Sequence, residues 1–396
     1  MGSIVHGLGP LRLIERRTRG PIVSCKPSRW NTKPALSFHR RAATTQLRSI
    51  ALRIEDYALI GDCETAGLVG RNGSIDWLCW PRFDSGAVFA ALLGNEDNGY
   101  WKIATTSRGA RVARRYRENT LILETDIKTE GGAATLIDFM PLRRDGTSHL
   151  IRILRGGAGR LAMRTELAMR FGYGSIIPWV TREGGHSLKA VAGADMVVLR
   201  SDVLLRPDGS KHHADFIVSA GETITFVLGY GRSFENVPRS INPTEARNHT
   251  GQAWLEWASP ATATVRYSAA VLRSLMTLKA LSYRPTGGIV AAVTTSLPEK
   301  SGARRNWDYR YCWLRDATFT LLALMNSGFD HEAQDWRLWL RRAVAGNPAQ
   351  EQIMYGLAGE RRLDEWEVPR LAGYEASKPV RIGNAAAKQL QLDIFW

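Results

Sequence analysis

From Ile54-Glu55-Asp56-Tyr57 to about Arg232, apolar positions recur at every second residue rather than every 3.6. That period belongs to strands, whose side chains alternate between two faces. In GLVGRNGSIDWLCWP, Asn72-Gly73 lies between two apolar runs, a strong short-range hairpin signal; Ile75, Trp77 and Cys79 are expected to share one face of the second arm. TLILETDIKTEGGAATLIDFMPL reads as a second hairpin near Gly131-Gly132. DFIVSAGETITFVLGY repeats the pattern around Ala220-Gly221. Short strands with glycine turns at this spacing predict an antiparallel β-sandwich over residues 55–235.

The period lengthens near Pro243. TEARNHTGQAWLEWA predicts a linker helix within 236–264, with Thr244 as its cap. In VRYSAAVLRSLMTLKALSYRPTGG, Leu272, Leu275, Met276 and Lys279 stand at helical spacing and Pro285 lies beyond the end. DATFTLLALMNSG and DHEAQDWRLWLRRAVAG each open on an Asp (Asp316, Asp330) and close on a Gly, the cap asymmetry of two further helices. The chain thus reads as a β domain followed by helical hairpins over 265–396, without an internal repeat.

Composition narrows the class. With 396 residues, 44% hydrophobic and 23% charged, the body has enough apolar surface for well-buried cores and is not a disordered chain. No apolar run approaches the roughly 20 residues of a membrane span. A net charge of +15 suggests a nucleic-acid partner, but the charge is unevenly distributed. Residues 1–54 carry eleven Lys/Arg against Glu15 alone, whereas residues 55–396 carry 42 bases against 37 acids. The excess belongs to the tail, so neither a nucleic-acid-binding body nor a membrane protein is expected. The tail itself reads first as an unstructured or upstream-translated extension, ahead of an organelle transit peptide or a basic nucleic-acid-binding arm. Cys25, Cys63, Cys79 and Cys312 form no C-x-x-C pair, which points to neither a zinc site nor a disulfide framework and fits a reducing, cytoplasmic setting.

The chemistry concentrates in Asn306-Trp307-Asp308-Tyr309-Arg310-Tyr311-Cys312-Trp313-Leu314-Arg315-Asp316. In an extended chain Trp307, Tyr309, Tyr311 and Trp313 point to one side, and Arg315 follows on that side. An aromatic wall beside a charged pair suits a sugar: the C–H face of a pyranose lies on a ring, and its hydroxyls take charge-assisted hydrogen bonds. On pattern alone, core packing with Asp316 as a cap accounts for the run equally well.

Four segments, in order, carry a resemblance: IEDYALIGDCETAGLVGRNGSIDWLCWPRFDS, GGIVAAVTTSLPE with RNWDYRYCWLRDA, QIMYGLAGERRLDEWEV, and SKPVRIGNAAAKQLQLD. From about Ile54 to Trp396 the chain resembles glycoside hydrolase family 15, the glucoamylase and bacterial trehalase group. The resemblance implies an N-terminal β-sandwich followed by a catalytic domain of twelve helices in two rings, an (α/α)6 toroid. It implies release of glucose from the terminal α-glucosidic bond of an α-glucan or of trehalose by inverting hydrolysis. By the family's W-x-R-D motif, Arg315 and Asp316 grip the hydroxyls of the terminal glucose while Trp313 and Tyr311 shape the wall. Arg381 either contacts sugar or holds its loop. Inversion uses two carboxylates roughly 6.5–9.5 Å apart, one a general acid with a raised pKa.

The 132 residues from Val265 to Trp396 allow four to six helices at about 20–30 residues for each helix and connection, so an incomplete toroid is expected. The family's two catalytic glutamates are expected beyond Trp396, and no catalytic residue is assigned within the chain. Glu365 and Glu367 read as solvated loop carboxylates, and Asp308 and Glu299 as structural or supporting groups. No cofactor is expected, and no carboxylate cluster supports a metal site. The alternative to a glucosidase is a catalytically inactive fragment with at most weak sugar binding.

Overall fold

The computed structural model describes residues 52–261, 268–389 and 391. The basic extension up to residue 51, with Cys25, and the chain's last five residues lie outside the described residues. Fifteen strands form one continuous antiparallel ladder among them. They are β1 Tyr57–Gly61, β2 Ala66–Gly70, β3 Ser74–Cys79, β4 Ala87–Phe89, β5 Tyr100–Thr105, β6 Arg111–Tyr116, β7 Leu123–Lys128 and β8 Gly132–Phe139. The series continues with β9 Ser148–Ala168, β10 Trp179–Arg182, β11 Ser187–Ala192, β12 Asp195–Ser201, β13 Arg206–Asp208, β14 Lys211–Ser219 and β15 Thr223–Arg232. The main path runs β1-β2-β3-β5-β9-β15-β12-β11-β10.

The 21-residue β9 serves both halves of this ladder. Its first part pairs with β15 and β8, its second with β14 and β5. Side chains from both halves, among them Ile75, Ile103, Leu154, Val197 and Phe226, share one core. Trp101 of β5 and Phe226 of β15 meet edge to face at 6.1 Å. Within that core Arg152 and Asp138 are fully buried as an ion pair of 2.7 Å; Arg152 also donates to the carbonyls of Trp101 and Gly73.

Two strand expectations change. The hairpin at Asn72-Gly73 forms, and Gly73 takes φ +79° where a Cβ would lie 2.1 Å from the Ile103 carbonyl oxygen. However, Leu68 pairs with Trp77 and Val69 with Ile75, leaving Asp76 as the extra residue of a β-bulge. Alternation shifts by one across it, so Ile75 joins the inner core while Trp77 and Cys79 face the helical region. The half-buried Asp76 carboxylate accepts from the hydroxyls of Tyr57 and Ser74. Further along, β14 and β15 do not pair as a hairpin. Both run along β9, β14 against residues 160–167 and β15 against 148–155. The reason is close backbone contact at the turn: Gly156 donates to the Glu222 carbonyl and accepts from Gly221, and a Cβ there would sit 1.9 Å from the Ser219 oxygen.

The helices are α1 Pro243–Ala258, α2 Ser268–Ala280, α3 Leu314–Met325 and α4 Asp330–Ala343. Asn242, not Thr244, caps α1 by accepting from Thr244 and Glu245, with Pro243 in the first turn where a missing N–H is harmless. Neither Asp316 nor Asp330 is a cap: the cap positions are Trp313 and Phe329, without side-chain cap bonds, and both acids lie in the first turn. They favour the positive end of the helix dipole there. Between 265 and 396 the described residues hold three α-helices, not four to six. Residues 344–391 form loops, 3-10 turns and two-residue strands, because Gly356, Gly359, Pro369, Gly373, Pro379 and Gly383 break any helical run. No helix among the described residues is long and apolar enough to cross a membrane.

A second core joins the two regions. Ala66, Leu68, Trp77 and Cys79 pack with Ile289, Cys312, Trp336, Trp339 and Tyr355. Trp257 of α1 donates to Glu332 of α4 at 2.7 Å, and Lys279 of α2 pairs with the same carboxylate at 2.8 Å.

Candidate functional site

The aromatic run lies extended against residues 291–296. Backbone bonds join Ser296 to Trp307, Ala292 to Tyr309 and Ala291 to Tyr311. Cys312–Trp313 form a two-residue strand, β16, against β17 (Met354–Tyr355), and α3 starts at once. Alternation therefore divides the side chains, as an extended backbone requires. Asp308, Arg310 and Cys312 are wholly buried on one side. Tyr309, Tyr311 and Trp313 cluster on the other with Ile353, Met354, Leu363 and Ala387.

Tyr311 and Trp313 are buried in that cluster, and the Trp313 indole N–H has no hydrogen-bond partner among the described residues. Tyr309 lies 6.1 Å from the Trp313 ring and remains half-buried. Burial, then the carboxylates of Glu299 and Asp316, push its phenol pKa up, while Arg315 pulls it down. Tyr309 thus feels the Arg315–Asp316 pair; it belongs to the aromatic wall named from the sequence, although the resemblance gave it no role. Arg315 and Asp316 approach to 3.5 Å with side chains 44% and 46% exposed.

Arg381 is engaged elsewhere. In β19 (Arg381–Ile382), opposite β18 (Trp366–Glu367), it lies 4.6 Å over Trp307, pairs with Glu365 at 3.2 Å and donates to the carbonyls of Arg304 and Asn306. This geometry holds loops together at the far end of the run from Arg315. Glu365 also accepts from Ala385 N–H and is largely buried, unlike the solvated carboxylate expected; Glu367 is exposed. Glu299 is half-exposed and lies 3.6 Å from Arg305.

No group of three or more His, Cys, Asp or Glu able to hold a metal ion occurs among the described residues. Burial pushes the Cys79 thiol up to about 12, which keeps it unreactive. A cavity of about 600 Å³ lies between the β8–β9 loop and the start of α1, lined by Arg143, Arg144, His149, Glu245, His249 and Arg284 among others. It includes no residue of the aromatic run.

What the run can do follows from this layout. Partly exposed aromatic surface at Tyr309, backed by Trp313, adjoins a guanidinium and a carboxylate open to solvent. That combination suits stacking against the apolar face of a sugar ring and directed bonds to its hydroxyls.

Comparison with known proteins supplies the lineage. Residues 44–254 match the family described as "Trehalase-like, N-terminal", and residues 265–395 match "Glycosyl hydrolases family 15". A trehalase of Mycolicibacterium smegmatis is 33% identical over 386 residues, covering 89% of this chain and 57% of that protein. A trehalase of Mycobacterium tuberculosis is 31% identical, covering 89% and 56%. Trehalase 1 of Sulfolobus acidocaldarius is 33% identical, covering 87% and 58%. The chain spans little more than half the length of these curated relatives.

Proposed function

Because the chain belongs to the glycosyl hydrolases of family 15 and carries their trehalase-like N-terminal domain, we propose that it binds the terminal glucose of an α-glucoside, trehalose foremost. Trehalose is preferred over an α-glucan because the curated relatives above bear the name trehalase. Arg315 and Asp316 take the glucose hydroxyls, Tyr309 offers its face, and Tyr311 and Trp313 hold the wall from behind. The observation that carries this reading is the solvent-open Arg315–Asp316 pair at the end of a buried aromatic cluster. Arg381 acts by bracing the loops at Trp307 rather than by touching sugar.

The reaction that fits the lineage is hydrolysis with inversion at the anomeric carbon. One carboxyl group protonates the leaving oxygen and a second activates water from the opposite face, the two roughly 6.5–9.5 Å apart. We assign neither role to a described residue. Helices α2, α3 and α4 are read as part of an (α/α)6 toroid, with the Arg315–Asp316 pair at the head of one helix.

The test is direct. The purified chain is titrated with trehalose and with maltotriose, and glucose release is followed in parallel. Binding of either sugar, lost when Asp316 is replaced, supports the site. Binding without release removes hydrolysis from this chain but leaves the site standing; absence of binding to both overturns it. Where release occurs, the anomeric form of the first product, read by proton NMR, decides inversion.

A further inference from the structure

The side of the run turned away from sugar ends in the β region. Arg310 and Asp308 are both fully buried and paired through two bonds, Nε to Oδ1 at 2.9 Å and Nη2 to Oδ2 at 2.7 Å. The remaining Nη1 donates to the carbonyls of Ser85 at 3.0 Å and Phe83 at 3.3 Å, in the β3–β4 loop, and lies 3.4 Å from Cys79 Sγ. Beneath the guanidinium, at 5.4 Å, is the ring of Tyr173 from the loop after β9. Tyr173 holds φ +61°, a region side-chain-bearing residues seldom adopt, and its hydroxyl donates to the same Ser85 carbonyl. Asp308 also accepts from Gly383 N–H, and its carbonyl accepts from Asn384.

One buried pair thus ties together the β3–β4 loop, the Tyr173 loop, the aromatic run and the segment carrying Arg381. A paired charge in a dry interior adds little net stability over well-packed apolar groups, so direction is what it supplies best. The planar guanidinium fixes its partners in a rigid fork. Neighbours in an extended chain point opposite ways, so a fixed Arg310 fixes the rings of Tyr309 and Tyr311.

We propose that Arg310 is a positioning residue through which the β3–β4 loop and Tyr173 set the sugar-facing side of the run and the Arg315–Asp316 pair beyond it. The β domain is then part of the site, although the residues assigned to the sugar lie outside it. This rests on the sugar-site reading for its functional half and on the geometry alone for its anchoring half, and the experiment separates the two.

Arg310→Lys keeps a cation beside Asp308 but cannot span the Ser85 and Phe83 carbonyls as well. Tyr173→Leu leaves the ion pair and removes the supporting ring, and it serves if Arg310→Lys fails to fold. Hydrogen exchange of the whole chain is read by peptide, with trehalose affinity alongside. The expected result is exchange at least tenfold faster in peptides 306–316 and 381–387, β9 peptides unchanged, and trehalose affinity at least tenfold weaker. Faster exchange throughout the molecule, or none in 306–316, overturns the anchor. Local loosening with affinity within twofold of wild type overturns the positioning role. A wild-type chain that binds no trehalose sinks the sugar reading and the positioning role with it, while the exchange pattern still decides the anchor.

Discussion

Replacing Asp316 with Asn separates sugar recognition from stability, because the structure sets different magnitudes for the two. The carboxylate is about half exposed, and its contact with Arg315 is 3.5 Å. An exposed pair of this kind contributes about 0–1 kcal/mol to folding. At roughly 2–4 °C per kcal/mol for a region of 150–250 residues, the melting temperature should move by less than about 4 °C. A hydrogen bond from a sugar hydroxyl to an ionised carboxylate contributes about 1.5–3 kcal/mol. Since 1.4 kcal/mol is tenfold, trehalose affinity should fall by roughly 10- to 140-fold. Asn keeps the shape and one acceptor, so the loss reports the charge rather than a hole. The assay is isothermal titration with trehalose beside a circular-dichroism melt of the same preparation. An affinity within about twofold of wild type refutes the role of Asp316. A melt lowered by more than about 10 °C refutes the argument from exposure.

Three further outcomes follow from the fold. Asp138→Ala leaves Arg152 buried without its carboxylate and should cost about 3–5 kcal/mol, while Asp138→Leu with Arg152→Met should recover most of it; equal urea midpoints for the single and double variants would contradict this. Gly156→Ala forces a methyl toward the Ser219 carbonyl and should cost about 1–3 kcal/mol, with no loss expected if β14 and β15 were instead an independent hairpin. Burial alone pushes the Glu332 carboxyl up, but Lys279 and the Trp257 N–H outweigh it and hold the pKa below the ordinary 4.5. The unfolded chain then binds the proton more readily, so this stabilisation is complete above pH 4.5 and is lost as pH falls through the lower folded value. The stability gap between wild type and Glu332→Gln should therefore narrow from pH 5 to pH 3; a gap independent of pH refutes the pairing.

Local chemistry was written plainly in the chain. The period-two stretch from Tyr57 to Arg232 became strands, and Asn72-Gly73 and Gly131-Gly132 became turns, because turn residues and alternation act over a few bonds. The odd-numbered aromatics from Tyr309 to Trp313 fell on one side for the same reason. What no local pattern carries is the choice of distant partner. Asp76 became a bulge that parted Ile75 from Trp77, and β14 and β15 each took a stretch of β9 in place of one another. Arg152, Asp308 and Arg310 look like surface residues in the sequence, yet each is wholly buried. A charge enters a dry interior only when carboxylates, carbonyls and rings from far along the chain converge on it, and that convergence exists only in the folded chain. Family membership was legible in four ordered segments. The division of the candidate site into Tyr309, Arg315 and Asp316 at one end and Arg381 with Glu365 at the other was decided by packing, because only the fold determines which charges remain open to solvent.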